Sequence, residues 1–232
     1  MIPDLPPHNP IHDAVPQISE RAALRAQSAL LCARAAGQKV ARFLIFDASR
    51  NASERRLFVL DVSQGPRLLF SDWVAHGAGS DQDRDGRAER FSNSPNSNAT
   101  SLGMYRVSER YQGKHPGWSY RLDGLTPGFN DHARERAVVI HSSSYVNAGH
   151  VGRSWGCPAV RPEVMQRFDK LGMGDTMLWI DAEGQGLDAA AISCPAAQTF
   201  AAQLRPVKDP FAPRFAMSMA SNTHPYSLTC QV

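Results

Sequence analysis

Apolar and polar positions change their spacing along the chain, which separates a helical N-terminal part from a strand-rich middle. Residues 1–16 are rich in proline and show no hydrophobic period, so we predict an extended arm there. Residues 18–36 are rich in Ala, Leu and Arg, a composition typical of a helix. Ser19 is a candidate N-cap and Gly37 a candidate stop signal for this helix.

Short apolar runs between turn residues dominate the next part of the chain. The first two runs flank the polar residues 51–54, which indicates a β-hairpin. A short helix is predicted at residues 163–171, because Pro162 suits a first helical position. With so few helices between the strands, a mainly β sandwich or barrel is favoured over βαβ repeats. The predicted strands are residues 40–47, 56–62, 67–75, 102–108, 118–122, 136–141 and 176–181.

The composition is that of a globular domain, with 42% hydrophobic and 20% charged residues. A net charge of +3 and the lack of a Lys/Arg run argue against a nucleic-acid partner. No segment approaches the roughly 20 apolar residues that a membrane-spanning helix needs. The first residues lack the basic and apolar regions of a signal peptide, so the protein is either cytoplasmic or has lost such a peptide.

Four cysteines occur, at positions 32, 157, 194 and 230, and none forms a CxxC pair. A structural zinc site is therefore not expected, and no metal is predicted. Cys194 and Cys230 both lie in the Pro-rich C-terminal part and form the preferred disulfide pair. The alternative is that both are reduced and packed against the domain.

A polar loop carries Asp81, Asp83 and Asp85 at alternate positions before Gly86. This spacing is that of the start of a calcium-binding loop. Position 12 of such a loop holds a bidentate Glu, and here it is Ser92. Without that carboxylate, a solvated acidic loop is the favoured interpretation.

His141 and Cys157 are the residues best placed for nucleophilic chemistry. His141 lies at the end of a predicted strand, and Cys157 stands between Gly156 and Pro158, a context typical of a tight turn. A cysteine nucleophile needs a base and an environment that stabilises negative charge, and Gly156 would let backbone amides approach a developing oxyanion. The alternative is a buried cysteine that packs as a small apolar side chain.

The segments IHSSSYV and GRSWGCPAV, in which His141 precedes Cys157 by 16 positions, resemble the active-site signature of the L,D-transpeptidase (YkuD-like) catalytic domain. HGAGS at 76–80 and SLGMY at 101–105 extend the likeness to a divergent SWGCP-type branch. The resemblance covers roughly residues 40–182. It implies a YkuD-like β-sandwich or barrel, preceded by an arm and helix at 1–39 and followed by a C-terminal extension at 183–232 that packs on the core.

The resemblance implies a cysteine transpeptidase without metal or cofactor. Cys157 would attack a peptidoglycan stem peptide, with His141 as the base and Ser142 helping to orient its imidazole. Trp155 stands where most relatives have a second His, and Ala159 where many have Asn or Arg, so the site is expected to differ around the nucleophile. Candidate substrate-binding residues are Arg153, Ser154, Trp155, Tyr145, His76 and Tyr105. For His76 a purely structural hydrogen bond is an equal alternative.

Three functions stay open at this point. The first is a transpeptidase that makes 3–3 links or an atypical 1–3 link between L-Ala and diaminopimelate. The second is an L,D-carboxypeptidase or another cysteine amidohydrolase that trims stem peptides. The third is an inactive wall-binding module. The resemblance also implies a periplasmic or cell-envelope location, with a signal peptide removed, and acylation by carbapenems.

Overall fold

The protein is described by a computed structural model for residues 8–113 and 117–203. The first seven residues of the predicted arm, residues 114–116 and residues 204–232, including Cys230, lie outside this description. No helix within the described ranges is long and apolar enough to cross a membrane.

One eight-stranded sheet forms the body of the described chain and confirms the mainly β prediction. It curls into a half-barrel, with the strand order β3-β2-β1-β10-β4-β5-β6-β9. Neighbouring strands are antiparallel except for β1–β10 and β6–β9, which are parallel. A separate small hairpin is formed by β7 and β8. The bounds are β1 Arg42–Asp47, β2 Leu57–Asp61, β3 Arg67–Asp72, β4 Gly103–Gln112, β5 Trp118–Gly124, β6 Val139–Ser142, β7 Val146–Asn147, β8 His150–Val151, β9 Ala159–Val160 and β10 Thr176–Asp181.

The central strands are buried on both faces, which explains why they are continuous apolar runs. All six residues of β10 are buried, as are the last five of β1. A strand covered on both faces needs apolar side chains at every position rather than at alternate ones. Helix α2 (Glu20–Ala35) packs against β1 and β10, and helix α3 (Pro162–Leu171) packs against β6.

Helix α2 confirms the helix predicted at 18–36, and Ser19 is its N-cap. The Ser19 hydroxyl accepts a hydrogen bond of 3.1 Å from the amide of Ala22. On the buried face of the helix, Arg25 donates two 2.8 Å hydrogen bonds to Asp181 at the end of β10. A guanidinium paired with a carboxylate in two places fixes orientation as well as distance, so this pair locks the helix onto the sheet.

The prediction of an extended N-terminal arm is wrong for Pro10–Ala14, which form helix α1. The Asn9 side chain caps it by accepting from the amides of Ile11 and His12, and Pro10 occupies the first turn. Ile11 is fully buried against the core. Five residues are too few for a hydrophobic period to show in the sequence, so the N-cap and Pro10 were the available signals.

The C-terminal part contains two helices that were not predicted, α4 (Leu187–Ala191) and α5 (Pro195–Gln203), and both pack against α2. Cys194, between them, forms a disulfide with Cys32 of α2, with a Cα–Cα distance of 5.5 Å. The predicted Cys194–Cys230 pair is therefore wrong. Proximity along the chain misled the prediction, because the packing of α4 and α5 on α2 brings together cysteines 162 positions apart.

Candidate active site

Strands β6 and β9 bring His141 and Cys157 to one place. The two strands are parallel neighbours, with His141 paired to Ala159, two residues after the cysteine. The His141 amide also donates to the carbonyl of Pro158 at 3.4 Å. Both side chains line the same cavity of about 570 Å³. The two residues that the sequence predicts to act together therefore share one cavity.

The His141 imidazole is oriented by the residue that follows it. The ring is buried, and its Nδ1 lies 3.0 Å from the backbone carbonyl oxygen of Ser142. A carbonyl oxygen can only accept, so Nδ1 carries the proton and Nε2 is the basic nitrogen. Ser142, which was predicted to orient the imidazole, therefore contacts it through its backbone carbonyl.

Cys157 is a half-buried free thiol, whereas Cys32 and Cys194, the other two cysteines of the described chain, form the disulfide. Burial raises the pKa of the Cys157 thiol, while a hydrogen bond from the Val139 backbone and the positive charge of Arg136 lower it. Burial outweighs these two effects, so the pKa stays above its ordinary value. The resting group is a thiol at neutral pH, and attack on a carbonyl requires a base to remove its proton.

The turn before the cysteine is held by Ser154, which is almost fully buried. Its hydroxyl donates to the Cys157 carbonyl at 2.6 Å and accepts from the Gly156 amide at 3.1 Å. Ser154 lines the cavity, yet its polar atoms serve the turn. The Gly156 amide, one of the amides expected around an oxyanion, already donates its hydrogen bond to Ser154.

Gly156 and Gly77 lie back to back, which explains the glycine in each segment. Gly156 has φ +114°, and a Cβ there would lie 2.9 Å from the carbonyl oxygen of Ala99. A Cβ on Gly77 would lie 2.7 Å from the Cα of Gly156. A side chain on Gly77 would therefore push the HGAGS segment away from the nucleophile turn, and one on Gly156 would clash with the backbone of Ala99.

His76, predicted to border the substrate groove, is instead part of a buried network. Its Nδ1 lies 2.7 Å from Arg56 Nη2, and its Nε2 lies 3.2 Å from Asp81 Oδ2. Since a guanidinium only donates, Nδ1 is the acceptor and Nε2 carries the proton. Burial and the charge of Arg56 lower the pKa of His76 to about 4. The structure supports the alternative that His76 makes a structural hydrogen bond.

Tyr105, a predicted substrate-binding residue, is fully buried. Its hydroxyl donates to the Ser101 carbonyl at 2.8 Å and lies 2.6 Å from the Ser101 hydroxyl. Burial raises the pKa of this phenol. Among the described residues, the cavity lining does not include Tyr105, His76, Ser142 or Gly156.

Trp155, Tyr145 and Arg153 do line the cavity. Trp155 is 85% exposed, so its ring stands at the mouth of the cavity in contact with solvent. Tyr145 is partly buried and packs against Gly152, where a Cβ would lie 3.0 Å from its ring. Arg153 donates to the backbone carbonyl of Asp81, which anchors one of its guanidinium nitrogens.

The sequence analysis missed Arg136, Asn96 and Asn98, which also line the cavity. Arg136 donates to the carbonyls of Ser92 and Ala99 at 2.7 and 2.8 Å, and this holds the guanidinium beside the nucleophile turn. No motif marks these residues, because they come from the loop before β4 and the turn before β6. The one weak signal in the sequence was the residue type of the two asparagines, because Asn tolerates positive φ in turns. Both residues do adopt positive φ.

The profile of the L,D-transpeptidase catalytic domain matches residues 15–180 of this chain. The match covers well over half of the chain, so the protein belongs to the L,D-transpeptidase catalytic-domain family. No curated protein matches the chain significantly.

Solved structures with a similar fold are distant in sequence. Bd1075 of Bdellovibrio bacteriovorus is 15% identical, with a TM-score of 0.41, and the match covers 70% of this chain and 56% of that one. The L,D-transpeptidase of Xylanimonas cellulosilytica is 19% identical, with a TM-score of 0.37 and coverage of 68% and 78%. LdtMt1, solved in complex with imipenem, is 12% identical, with a TM-score of 0.38 and coverage of 61% and 59%. This chain thus spans little more than half of Bd1075 and LdtMt1.

Proposed function

We propose that this protein is a peptidoglycan L,D-transpeptidase that works through a thioester on Cys157. The observation that carries the proposal is the cavity shared by the Cys157 thiol and the His141 imidazole, whose basic nitrogen is Nε2. Family membership supplies the reaction class. The proposal is supported by a free thiol, an imidazole and a space large enough for a peptide segment in one cavity.

The first half-reaction forms the acyl-enzyme. Nε2 of His141 takes the thiol proton as Sγ of Cys157 attacks an amide carbonyl carbon of the donor stem, and negative charge develops on the carbonyl oxygen. With the Gly156 amide engaged by Ser154, the backbone amides of Trp155 and Cys157 are the donors that we assign to this oxygen. The C–N bond then breaks, His141 returns the proton to the leaving amine, and a thioester remains.

The second half-reaction releases the acyl group to an amine of a second stem. This amine attacks the thioester carbon and gives up a proton to Nε2 of His141, and the C–S bond breaks. The proton passes to Sγ, which restores the thiol and leaves a new amide cross-link. If water attacks instead, the product is a trimmed stem peptide, which is the carboxypeptidase outcome.

The charge of the cavity fits the donor stem. Two guanidinium groups line it, those of Arg136 and Arg153, beside one carboxylate, that of Glu135. Stem peptides carry carboxylates, and guanidinium pairs with carboxylate in a directional, charge-assisted manner. We assign Arg153 to a stem carboxylate, Arg136 to the nucleophile turn, and the exposed ring of Trp155 to the apolar faces of the bound stem.

We place the protein in the cell envelope, where its proposed substrate occurs. The Cys32–Cys194 disulfide favours this location, because disulfides persist in the periplasm and at the cell surface and are rare in the cytosol. Fractionation of cells that produce the native precursor tests the proposal. Recovery of the protein in the cytosolic fraction, with Cys32 and Cys194 reduced, would contradict it.

Cys157→Ala tests the mechanism directly. We expect purified protein to convert defined muropeptides into cross-linked products, and the variant to form none while keeping the wild-type circular dichroism spectrum and melting temperature. Cys157→Ser, with nearly the same volume and a poorer nucleophile, is the matched control and should be at least 100-fold slower. Full activity of the alanine variant would overturn the proposal. If the wild-type protein gave trimmed stems without cross-links, the activity would be that of a carboxypeptidase.

The same reaction mixtures determine which linkage is made, since mass-spectrometric fragmentation distinguishes 3–3 from 1–3 cross-links. A carbapenem supplies an independent probe of the nucleophile. We expect a covalent adduct of one inhibitor molecule by intact mass in the wild-type protein and no adduct in Cys157→Ala. Labelling of any other residue to the same extent would contradict the assignment of Cys157.

A further inference from the structure

The acidic loop after the HGAGS segment differs from the solvated loop that the sequence favoured. Asp81, the first of three alternating aspartates, is 2% exposed, whereas Asp83 and Asp85 lie on the surface. A buried carboxylate is costly unless each of its oxygens finds a partner. A solvated loop, as predicted from the sequence, would not need protein partners for its carboxylates.

Asp81 satisfies only one of its two carboxylate oxygens with protein groups. Oδ2 accepts from His76 Nε2 at 3.2 Å and from the Gly86 amide at 3.3 Å. Oδ1 is buried and has no hydrogen-bond partner within the described ranges. Oδ1 is therefore a buried carboxylate oxygen to which none of the surrounding described groups donates a hydrogen bond.

The three carboxylates converge. Asp81, Asp83 and Asp85 each offer one ligand oxygen, and these three oxygens all lie within 4.8 Å of one another. One cation could therefore contact all three oxygens. A flexible loop of carboxylate and carbonyl oxygens is the ligand set that Ca²⁺ prefers, whereas Mg²⁺ keeps several waters and is rarely held by a dedicated protein cage.

We propose that Asp81, Asp83 and Asp85 form a Ca²⁺ site, with the unpartnered Oδ1 of Asp81 as the buried ligand. Positions 1, 3 and 5 of the loop then carry the carboxylates, Gly86 is at position 6, and the carbonyl oxygen of Arg87 is at position 7, where such loops use a backbone ligand. Ser92 replaces the bidentate Glu, so water completes the shell.

The missing carboxylate and the nearby arginines set the expected affinity. Arg87 Nε lies 4.0 Å from an oxygen of Asp85, and the Arg153 guanidinium contacts the Asp81 carbonyl. We expect a dissociation constant of about 0.1–1 mM, in the range of extracellular calcium modules. The ion would fix Asp81, which holds both His76 and Arg153, and so stiffen one wall of the cavity.

Calorimetric titration of the full chain with CaCl₂, together with thermal unfolding, tests the site. In 150 mM KCl, 10 mM CaCl₂ should raise the melting temperature by about 3–10 °C relative to EDTA, given that affinity and the size of the chain. The same concentration of MgCl₂ should give less than half of that shift. Absence of both a calcium-dependent shift and a binding heat would overturn the proposal.

The double variant Asp83→Asn/Asp85→Asn separates binding from folding. Asn keeps the acceptor that Asp83 offers to the Asp85 amide and that Asp85 offers to the Arg87 amide. We expect its melting temperature in EDTA to be within about 2 °C of wild type and its calcium response to be lost. Asp61→Asn changes a partly exposed carboxylate at the end of β2, far along the chain from the loop, and is the control that should keep the full response. An equal response in all three proteins would show general charge screening and overturn the site.

Discussion

His76 and His141 occupy similar positions in the sequence, and the structure gives them opposite chemistry. His141 lies near the end of β6, and His76 lies four residues after the end of β3. Each is buried, and each has an Nδ1 within 3.0 Å of a hydrogen-bonding partner. At His76 the partner is the guanidinium of Arg56, which donates, so the basic nitrogen is Nδ1 and is covered by a cation. At His141 the partner is the carbonyl of Ser142, which accepts, so the basic nitrogen is Nε2.

The difference teaches that the partner of Nδ1 decides whether a buried histidine acts as a base. A second proton on His76 would face the guanidinium of Arg56. Burial and this charge lower the pKa of His76 to about 4. His141 lines the cavity of Cys157, whereas His76 braces the turn from behind, because its own carbonyl accepts from the Ser154 amide at 2.9 Å. We therefore assign His141 to the proposed chemistry and His76 to the support of the turn.

The largest expected effect is that of His141→Ala. Because burial keeps the Cys157 thiol protonated, loss of the base should lower kcat/KM for cross-linking by about 10²–10⁴-fold. Alkylation of the thiol by iodoacetamide at pH 7 should slow by at least about 10-fold. Rates of alkylation, measured by intact mass, report on the thiol without any need for substrate.

His76→Asn is the matched comparison, since it removes the other buried imidazole. The folded variant should alkylate within about 3-fold of the wild-type rate, because the carbonyl of residue 76 that holds Ser154 is retained. Equal losses of thiol reactivity in both histidine variants would remove the distinction between the two histidines.

The second prediction concerns stability, for which we expect His76 to matter more than His141. His76→Asn should lower the free energy of unfolding at pH 7 by about 2–3 kcal/mol, because Arg56 and Asp81 lose a buried partner. The folded pKa of His76 lies below its unfolded value of 6.5, so its contribution is present above pH 6.5 and is lost as pH falls toward 4. The stability difference between wild type and variant should therefore shrink over that window.

Urea unfolding of both proteins at pH 7 and pH 4.5 measures this difference. Asp47 titrates in the opposite sense, because burial and the charge of Asp181 raise its pKa to about 6. Its stabilising contribution is present at low pH and is lost as pH rises from 3.8 to 6. Both proteins carry Asp47, so its effect cancels in the comparison. A stability gap that stays constant with pH would contradict a neutral His76.

How far the sequence reaches can be judged from these same residues. The resemblance of the two motif segments predicted that His141 and Cys157 act together, and the pairing of β6 with β9 brings both to one cavity. For His76 the sequence left a structural hydrogen bond as an equal alternative but did not identify its partners, because Arg56 lies 20 positions away and is brought near only by the fold. Arg136 was missed for the same reason, and the Cys32–Cys194 pairing depends on helix packing rather than on a local pattern.

The third prediction tests Arg136, whose positive charge lowers the pKa of the Cys157 thiol. Arg136→Met should raise that pKa further, so that the pH profile of alkylation shifts to higher pH and the rate at pH 7 falls by roughly 3–10-fold. Arg136→Lys keeps the charge and should restore most of the rate. Arg153→Met removes the other cavity guanidinium and should leave the thiol profile unchanged. A shift of the same size in Arg153→Met would assign the effect to the general charge of the cavity.

The smallest expected effect is that of Trp155→Ala. This variant tests whether a residue at the mouth of the cavity that His141 lines contributes to substrate binding or to the chemical step. The ring is 85% exposed, so its removal should change the free energy of unfolding by no more than about 0.5 kcal/mol. It stands at the cavity mouth, so we expect KM for muropeptide to rise about 3–10-fold with kcat within 2-fold. Leu125→Ala, which shortens a 38% exposed side chain in a different cavity, is the control and should leave both constants unchanged. A fall in kcat without a change in KM would instead place Trp155 in the chemical step, beside the amide that we assign to the oxyanion.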